Sequence, residues 1–348
     1  MKINIIFPCL ATKASGGHKV LYEYANKLVK KGYDITCYYL PSNTFYQLKL
    51  PEFLRIKILK YFIKFIGPSK WFKLDRRIKN ELCVNIREAD IIIATAVETV
   101  EIVANQKPEK GKKIYFIQDF ENWNYSEEYL YSTYNLGFIN IVVSNWLKNI
   151  VDKYSSSFSY LISNGINTKV FYNQNNERIN HSIVFQYRSA GYKGCKYSID
   201  VIEKLHEIYK DLHVDVISIE PKPSSLPNYC TYHHKLTADE IARINNQNQV
   251  FLCTSIEEGF GLPGLEAMAC GCVVVSTCYE GVLEYAVDGK NALLSSVKDV
   301  DSIVKNIIKV FNDNELRDSL IKEGNKTVKE RSIDNSVSLL ENIFLSFK

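Results

Sequence analysis

The residues best suited to chemistry lie in one run, Ser255-Ile256-Glu257-Glu258-Gly259-Phe260-Gly261-Leu262-Pro263-Gly264-Leu265-Glu266-Ala267-Met268-Ala269. It follows the apolar Val250-Phe251-Leu252-Cys253 and reads as a loop opening a helix, with Pro263 in the first turn, where a missing N–H costs nothing. Along Gly259-Phe260-Gly261-Leu262 the glycines let the backbone approach a ligand, and free N–H groups there suit an anion or a ring of hydroxyls. Glu258 falls in the loop and Glu266 one turn into the helix, a spacing fit for two acceptors about a nucleotide-sugar length apart. Carboxylates are apt partners for vicinal hydroxyls because each oxygen accepts strong hydrogen bonds. Arg188 and Lys193 follow the strand-like Ile183–Tyr187, and two cations at a strand's carboxyl end suit a diphosphate leaving group. Asp119, in Ile117-Gln118-Asp119-Phe120-Glu121-Asn122-Trp123, ends another strand, where a carboxylate can orient an acceptor hydroxyl. Each feature also has a plainer reading. The glutamates can simply favour a helix N-terminus, the two cations can be solvated, and Asp119 can cap a helix. Gly259, Gly261 and Gly264 also spell G-x-G-x-x-G. A dinucleotide fingerprint, however, belongs to a first βα unit with a ribose-binding acid about 20 residues on. This one lies in the last third of the chain and contains a proline.

The elements that must position these groups alternate short β-rich runs with amphipathic helical windows, the pattern of α/β chains with parallel sheets. Ile3–Phe7 leads through a loop to a helix over 18–31, whose buried stripe is Val20, Leu21, Tyr24, Ala25, Leu28 and Val29 and which Gly32 ends. Strands are predicted at 34–40, 90–94, 114–117, 139–143 and 160–163, then at 182–187, 214–219, 249–254 and 272–276. Helices are predicted near 198–209, 238–246 and 262–269, and beyond Lys298 at 300–311, 314–329 and 337–347. The polar, aperiodic stretch Asn173–Asn180 reads as a linker between two doubly wound domains, 1–172 and 181–335. A final helix, 336–348, is expected to pack back on the first domain. Such sheets bind ligands outside the carboxyl ends of their strands, so two facing domains imply a site in a cleft.

The run from Glu258 to Glu266 resembles the glutamate–seven residues–glutamate motif of the retaining glycosyltransferases of family 4, and Glu-Gly-Phe-Gly-Leu-Pro is a common form of it. Further similarities are Ala267–Val275, Glu284 before Asp288-Gly289-Lys290-Asn291-Ala292-Leu293-Leu294, and Arg188 with Lys193 five residues on. Asn164-Gly165-Ile166-Asn167, Val170-Phe171 and the N-terminal glycine loop Gly16-Gly17 add to these. The resemblance covers nearly the whole chain, most strongly 180–295. It implies the GT-B fold, two Rossmann-like domains facing across a cleft, and sugar transfer from a nucleoside diphosphate to a hydroxyl of a lipid-linked or polysaccharide acceptor. The implied roles are diphosphate neutralisation by Arg188 and Lys193, donor-sugar binding by Glu258 and ribose binding by Glu266. Gly16, Gly17, Gly259, Phe260, Gly261 and Leu262 would bring backbone close to the donor, and Asp119 would face the acceptor. Two departures stand out. Glu280-Gly281 replaces the usual glycine pair before Glu284, and Gln118-Asp119 replaces a His-Asp pair. Gln-Asp-Phe-Glu is similar to some bacterial rhamnan-type transferases, which points toward dTDP-rhamnose as donor.

The 348 residues are 46% hydrophobic and 24% charged, which excludes disordered and fibrous classes. Net charge is +4, but residues 1–175 hold 24 Lys/Arg against 15 Asp/Glu, and 176–348 hold 19 against 24. Most of the basic excess falls between Lys49 and Lys79, where Lys57, Lys60 and Lys64 alternate with Phe53, Ile58, Phe62, Phe65, Trp71 and Phe72. That composition fits a basic amphipathic insert, 45–79, with aromatic anchors at an anionic membrane surface, or else a helix packed on the sheet with its lysines outward. Nine cysteines without a Cys-x-x-Cys pair, with Cys9, Cys253 and Cys270 in apolar runs, read as reduced, buried thiols. With no signal-peptide pattern and no apolar run of roughly 18–20 residues, a cytoplasmic protein peripheral to the inner face of the cell membrane is expected. No metal is assigned: His233-His234 has no third ligand at metal spacing, and Asp299-Val300-Asp301 precedes a helix that it would cap. His18 could touch phosphate or acceptor, or stand solvated at its helix start. No cofactor and no nucleic-acid partner are expected. The alternatives are a nucleotide-sugar epimerase of the same fold, a dinucleotide oxidoreductase and a non-catalytic membrane-surface glycan-binding protein.

Overall fold

The computed structural model describes residues 1–41, 49–65, 67 and 71–347. Within the basic insert, residues 45–48, Ile66 and 68–70 lie outside the described residues. The chain forms two compact units, Met1–Ser163 with Ser336–Lys348, and Asn164–Asn335. Residues 164–172, expected in the first domain, group with the second. Ile166 is held there by its N–H to Arg331 O (2.9 Å) and by Ile333 N–H to its own carbonyl (2.9 Å).

The first unit is built on β1 (Lys2–Phe7), β2 (Asp34–Tyr39), β3 (Lys79–Leu82), β4 (Ile91–Ala94), β5 (Lys112–Ile117), β6 (Ile139–Val142) and β7 (Tyr160–Leu161). All are parallel, in the order β3-β2-β1-β4-β5-β6-β7. Its central strands are isoleucine-rich and buried on both faces, as covered parallel strands must be. Helix α1 (Gly16–Lys30) buries the six residues of the expected stripe together with Tyr22, and Gly32 leaves it at φ +93°. The other helices are α2 (Glu52–Phe65), α3 (Val97–Ala104), α4 (Glu127–Tyr134) and α5 (Asn145–Tyr154).

The second unit holds β8 (Ser182–Gln186), β9 (His213–Ser218), β10 (Cys230–His234), β11 (Val250–Cys253), β12 (Val273–Thr277) and β13 (Ala292–Ser295), parallel in the order β10-β9-β8-β11-β12-β13. Its helices are α6 (Cys195–Ile208), α7 (Ala238–Gln247), α8 (Leu262–Ala269), α9 (Val300–Asn312) and α10 (Asn314–Glu330), and α11 (Ile333–Leu345) follows. Both sheets therefore start in the middle, run to one edge, then jump back across the first strand. That reversal defines a switch point between β1 and β4 and another between β8 and β11.

Three expectations need correction. Trp71 and Phe72 are not outward anchors. Trp71 Nε1–H bonds Ala11 O (2.7 Å), and both rings pack on buried Tyr22. Cys9 and Cys253 are only half-buried, while Cys270 is buried; all nine thiols are free. Finally, 173–180, read as the linker between the two domains, falls within the second unit and is tied down there. The Arg178 guanidinium donates to Asn245 O (3.0 Å), Asn248 O (2.5 Å) and Cys270 O (2.5 Å), carbonyls at the C-terminal ends of α7 and α8. Ile179 N–H bonds Gln247 O, and Gln174 N–H bonds Asn246 Oδ1. A cation at two helix C-termini satisfies orphan carbonyls and complements both dipoles. Arg178→Ala should therefore lower stability by about 2–4 kcal/mol in urea denaturation, since hydrogen bonds to a charged donor are lost and their carbonyls stranded.

Candidate active site

In the second unit the site grows from the β8/β11 switch point. Residue 194 is a glycine because a Cβ there would sit 2.0 Å from Thr254 O, and its φ is +60°. That contact brings the turn after β8 against the loop after β11. Ile256 N–H bonds Tyr192 O (2.8 Å), Thr254 Oγ1 donates to Gly194 O (2.9 Å), and the Ser198 and Thr254 hydroxyls are 2.6 Å apart. Lys193 on one loop then meets Glu258 on the other, Nζ to Oε1 at 3.2 Å, and Ser255 Oγ donates to the same oxygen at 2.5 Å. Arg188 lies in the same neighbourhood, its N–H on Cys195 Sγ and its guanidinium on Tyr187 O. Burial lowers the Arg188 guanidinium from its ordinary value, while nearby Glu220, Cys195, Tyr232 and Glu258 oppose that shift.

The loop ahead of α8 is clamped by tyrosines. Tyr285 OH donates to Gly261 O (2.9 Å), and a Cβ on Gly264 or Gly261 would strike the hydroxyl of Tyr285 or Tyr279, at 2.2 and 2.0 Å. Gly259 and Phe260 are buried, the Phe260 ring stands 5.6 Å from that of Tyr285, and Leu262 is half-buried. Glu266 is buried on α8. The departure at Glu280-Gly281 also has a physical explanation. Glu280 is exposed, whereas a Cβ on Gly281 would meet Glu258 O at 2.3 Å and Phe260 N at 2.7 Å, so only the second glycine is sterically required.

Gly16, Gly17 and Asp119 belong to the first unit. Gly16 opens α1, and a Cβ on Gly17 would press on Gln118 Nε2 at 3.2 Å, so the glycine loop and the Gln-Asp segment adjoin. Asp119 Oδ1 accepts Phe120 N–H (3.0 Å). The carboxylate at a helix start is Glu121, which accepts Val97 N–H at the head of α3 (2.6 Å). His18 is not a solvated residue. Its ring stacks on Phe7, Nε2–H bonds Cys9 O (3.0 Å) and Nδ1 faces Ser15 Oγ (3.1 Å). His233 bonds Asp215, and Asp299 caps α9 through Ser302 N–H.

Sequence reasoning missed two groups. Glu220, just past β9, accepts Ser189 N–H (2.9 Å) and faces Arg188. Its place after the strand beside β8 was an available signal. Glu121 was read only as part of a segment. Burial pushes its carboxyl up to about 8, the Val97 bond opposes this, and Glu98 and Asp119 add to it.

Two doubly wound parallel sheets with this strand order define the GT-B class of architecture. HepE of Anabaena, solved in complex with UDP and glucose, superposes with a TM-score of 0.76 at 14% identity, covering 99% of this chain and 100% of that one. Within that fold, residues 173–327, most of the second unit, match the family described as glycosyl transferases group 1. An uncharacterised glycosyltransferase of Methanocaldococcus jannaschii is 25% identical over 212 residues, 59% of this chain and 58% of that protein. The capsular polysaccharide biosynthesis glycosyltransferase CapM of Staphylococcus aureus is 31% identical over 105 residues, 30% of this chain and 27% of its own length. The chain thus spans about half, or less, of the curated relatives it matches.

Two outcomes are expected. Gly281→Ala should displace the 258–260 backbone and lower stability by about 1–3 kcal/mol in urea denaturation. Glu121 gives a pH dependence with a definite sign. Its folded value lies above the ordinary 4.5, so its contribution is whole below that pH and is lost as pH rises through about 8. Melting temperature should fall over that interval, and Glu121→Gln should flatten the decline.

Proposed function

We propose that the chain is a retaining glycosyltransferase that moves a sugar from a nucleoside-diphosphate sugar to a hydroxyl of a lipid-linked or polysaccharide acceptor in bacterial cell-surface glycan synthesis. The Lys193–Glu258 ion pair at the switch point, with Arg188 on the same loop and all inside the stretch that matches glycosyl transferases group 1, carries the reading. The capsular role named for the staphylococcal relative and the UDP and glucose held by HepE support it. dTDP-rhamnose stays in the donor panel beside UDP-sugars.

Arg188 and Lys193 offset the charge that builds on the departing diphosphate, which lowers the barrier if they are already aimed there. Lys193 is paired with Glu258. A phosphate oxygen competes for that ammonium, and its arrival frees Glu258 to accept bonds from donor-sugar hydroxyls, with Ser255 holding the carboxylate in place. Donor binding and the arming of Glu258 are then one exchange of partners. Glu266 takes the ribose hydroxyls, and the backbone of Gly259–Leu262 approaches the donor. Gly16 and Gly17 keep the first unit's loop free of side chains, and Asp119 orients the acceptor hydroxyl. That hydroxyl attacks the anomeric carbon on the face the diphosphate leaves and passes its proton to a leaving phosphate oxygen, so configuration is retained. The two cations do the neutralising, and no metal or cofactor enters the scheme.

A thermal-shift panel of nucleotides and nucleotide sugars tests the assignment. At least one nucleoside diphosphate should raise Tm, and Glu266→Ala and Arg188→Ala should each blunt the response. With the stabilising donor, Arg188→Ala should lower kcat by about 10²–10³-fold, and EDTA should leave the wild-type rate unchanged. If no nucleoside diphosphate stabilises the wild type, or both variants respond as it does, the reading fails.

A further inference from the structure

Among the described helices of the first unit, α2 stands apart in what it shows to solvent. Of its 14 residues only Ile63 is buried. Phe53, Tyr61 and Phe65 are 69%, 60% and 66% exposed, and Ile58 and Phe62 are exposed as well. Leu50, just ahead of the helix, continues the apolar surface. Interleaved with these side chains stand Lys57, Lys60 and Lys64, all exposed, and the helix's one acid is Glu52 in its first turn. At helical spacing Phe53, Lys57, Lys60 and Lys64 share one stripe, while Ile58, Tyr61, Phe62 and Phe65 share the next. The Tyr61 and Phe65 rings lie 4.8 Å apart, and Lys64 Nζ sits 5.6 Å from the Phe65 centroid. Four other side chains of the basic insert are engaged elsewhere. Arg77 is forked onto Asp75, Lys79 reaches Asp34, and Trp71 and Phe72 pack inward on Tyr22. Among the described residues of the insert, the exposed aromatics are thus confined to one helical element, which also carries three exposed lysines.

We propose that α2 docks the protein on an anionic lipid bilayer, lying in the interface with Phe53, Ile58, Tyr61, Phe62 and Phe65 in the acyl boundary and Lys57, Lys60 and Lys64 on the headgroups. A contiguous exposed apolar patch on a monomer marks an interaction surface. Charge selects among its occupants. A second copy packed about a two-fold axis would set this lysine stripe against itself, at a cost in repulsion. A bilayer with negative headgroups meets both components at once, because lysine stems lie along apolar surface while their ammonium groups reach the phosphates. This inference stands apart from the sugar-transfer reading, and its test uses no donor.

The test is co-sedimentation of the full chain with vesicles of equimolar phosphatidylglycerol and phosphatidylcholine, and with vesicles of phosphatidylcholine alone. Wild type should bind the mixed vesicles, weakening as salt rises, and bind the neutral ones far less. Lys57→Gln, Lys60→Gln and Lys64→Gln together should lower the partition constant about a hundred-fold, on the order of five-fold per lysine. Phe53→Ser, Tyr61→Ser and Phe65→Ser together should abolish binding while the circular-dichroism melt is kept. These positions are exposed, so the melt separates loss of docking from loss of fold, and the lysine variant tests the claim if the aromatic one unfolds. Equal binding to both vesicle types, or unchanged binding by the lysine variant, would overturn the proposal. So would lipid-free dimerisation in analytical ultracentrifugation that the aromatic variant alone removes.

Discussion

The carbonyl of Thr254 occupies the space that any side chain at residue 194 would need, and the candidate site depends on that contact. It closes the turn after β8 onto the loop after β11, so one residue before the glycine and four after the threonine bring an ammonium and a carboxylate into contact. Parallel strands leave a crevice where their order reverses, but a crevice alone does not aim side chains. Here the Gly194 approach, the Tyr192 carbonyl and the paired hydroxyls of Ser198 and Thr254 do the aiming. The candidate cluster of Arg188, Lys193 and Glu258 is local in sequence, although it draws on β8, β9 and β11.

Much of this was legible beforehand, and what was not has identifiable causes. Central strands announced themselves because burial on both faces demands continuous apolar runs such as Ile91-Ile92-Ile93. The strands that escaped notice, β3, β10 and β13, are all at sheet edges. There, sequences such as Lys-Asn-Glu-Leu and Cys-Thr-Tyr-His-His carry polar groups that discourage further pairing and hide the strand. That Lys193 and Glu258 lie together was foreseeable, because both follow neighbouring strands at the same sheet edge. Glu220 and Tyr285 were not, since their roles depend on which strand neighbours which and on where a buried hydroxyl points. The apparent dinucleotide fingerprint has a packing origin at two of its glycines. Gly261 and Gly264 make room for the hydroxyls of Tyr279 and Tyr285.

Polar connections do as much positioning as the apolar cores. The stretch 173–180 looked like a spacer because it lacks periodicity, yet its aperiodicity reflects side chains used one at a time. Arg178 caps two helices, while Gln174 and Ile179 lend their backbone N–H groups to Asn246 and Gln247. In the first unit, His18 similarly ties the loop after β1 to the start of α1, and burial lowers its pKa from the ordinary value against the opposing bond to Cys9. A neutral ring at the mouth of that loop keeps its two bonds without adding a charge to the first sheet's switch point.

The order in which the chain visits its two units bears on how it is made. The first unit takes in residues 336–348 after the chain has traversed 164–335. Tyr33 rests edge-on against Phe344 and bonds Glu341, and Ser336 Oγ donates to Ser163 O. During synthesis those partners leave the ribosome only after the whole second unit has emerged. The seven-stranded sheet must wait with part of its apolar cover missing, while the six-stranded sheet has its own helices to hand. Vectorial folding therefore completes the later unit first, and a break between residues 163 and 164 would leave the second unit whole but strip residues 336–348 from the first.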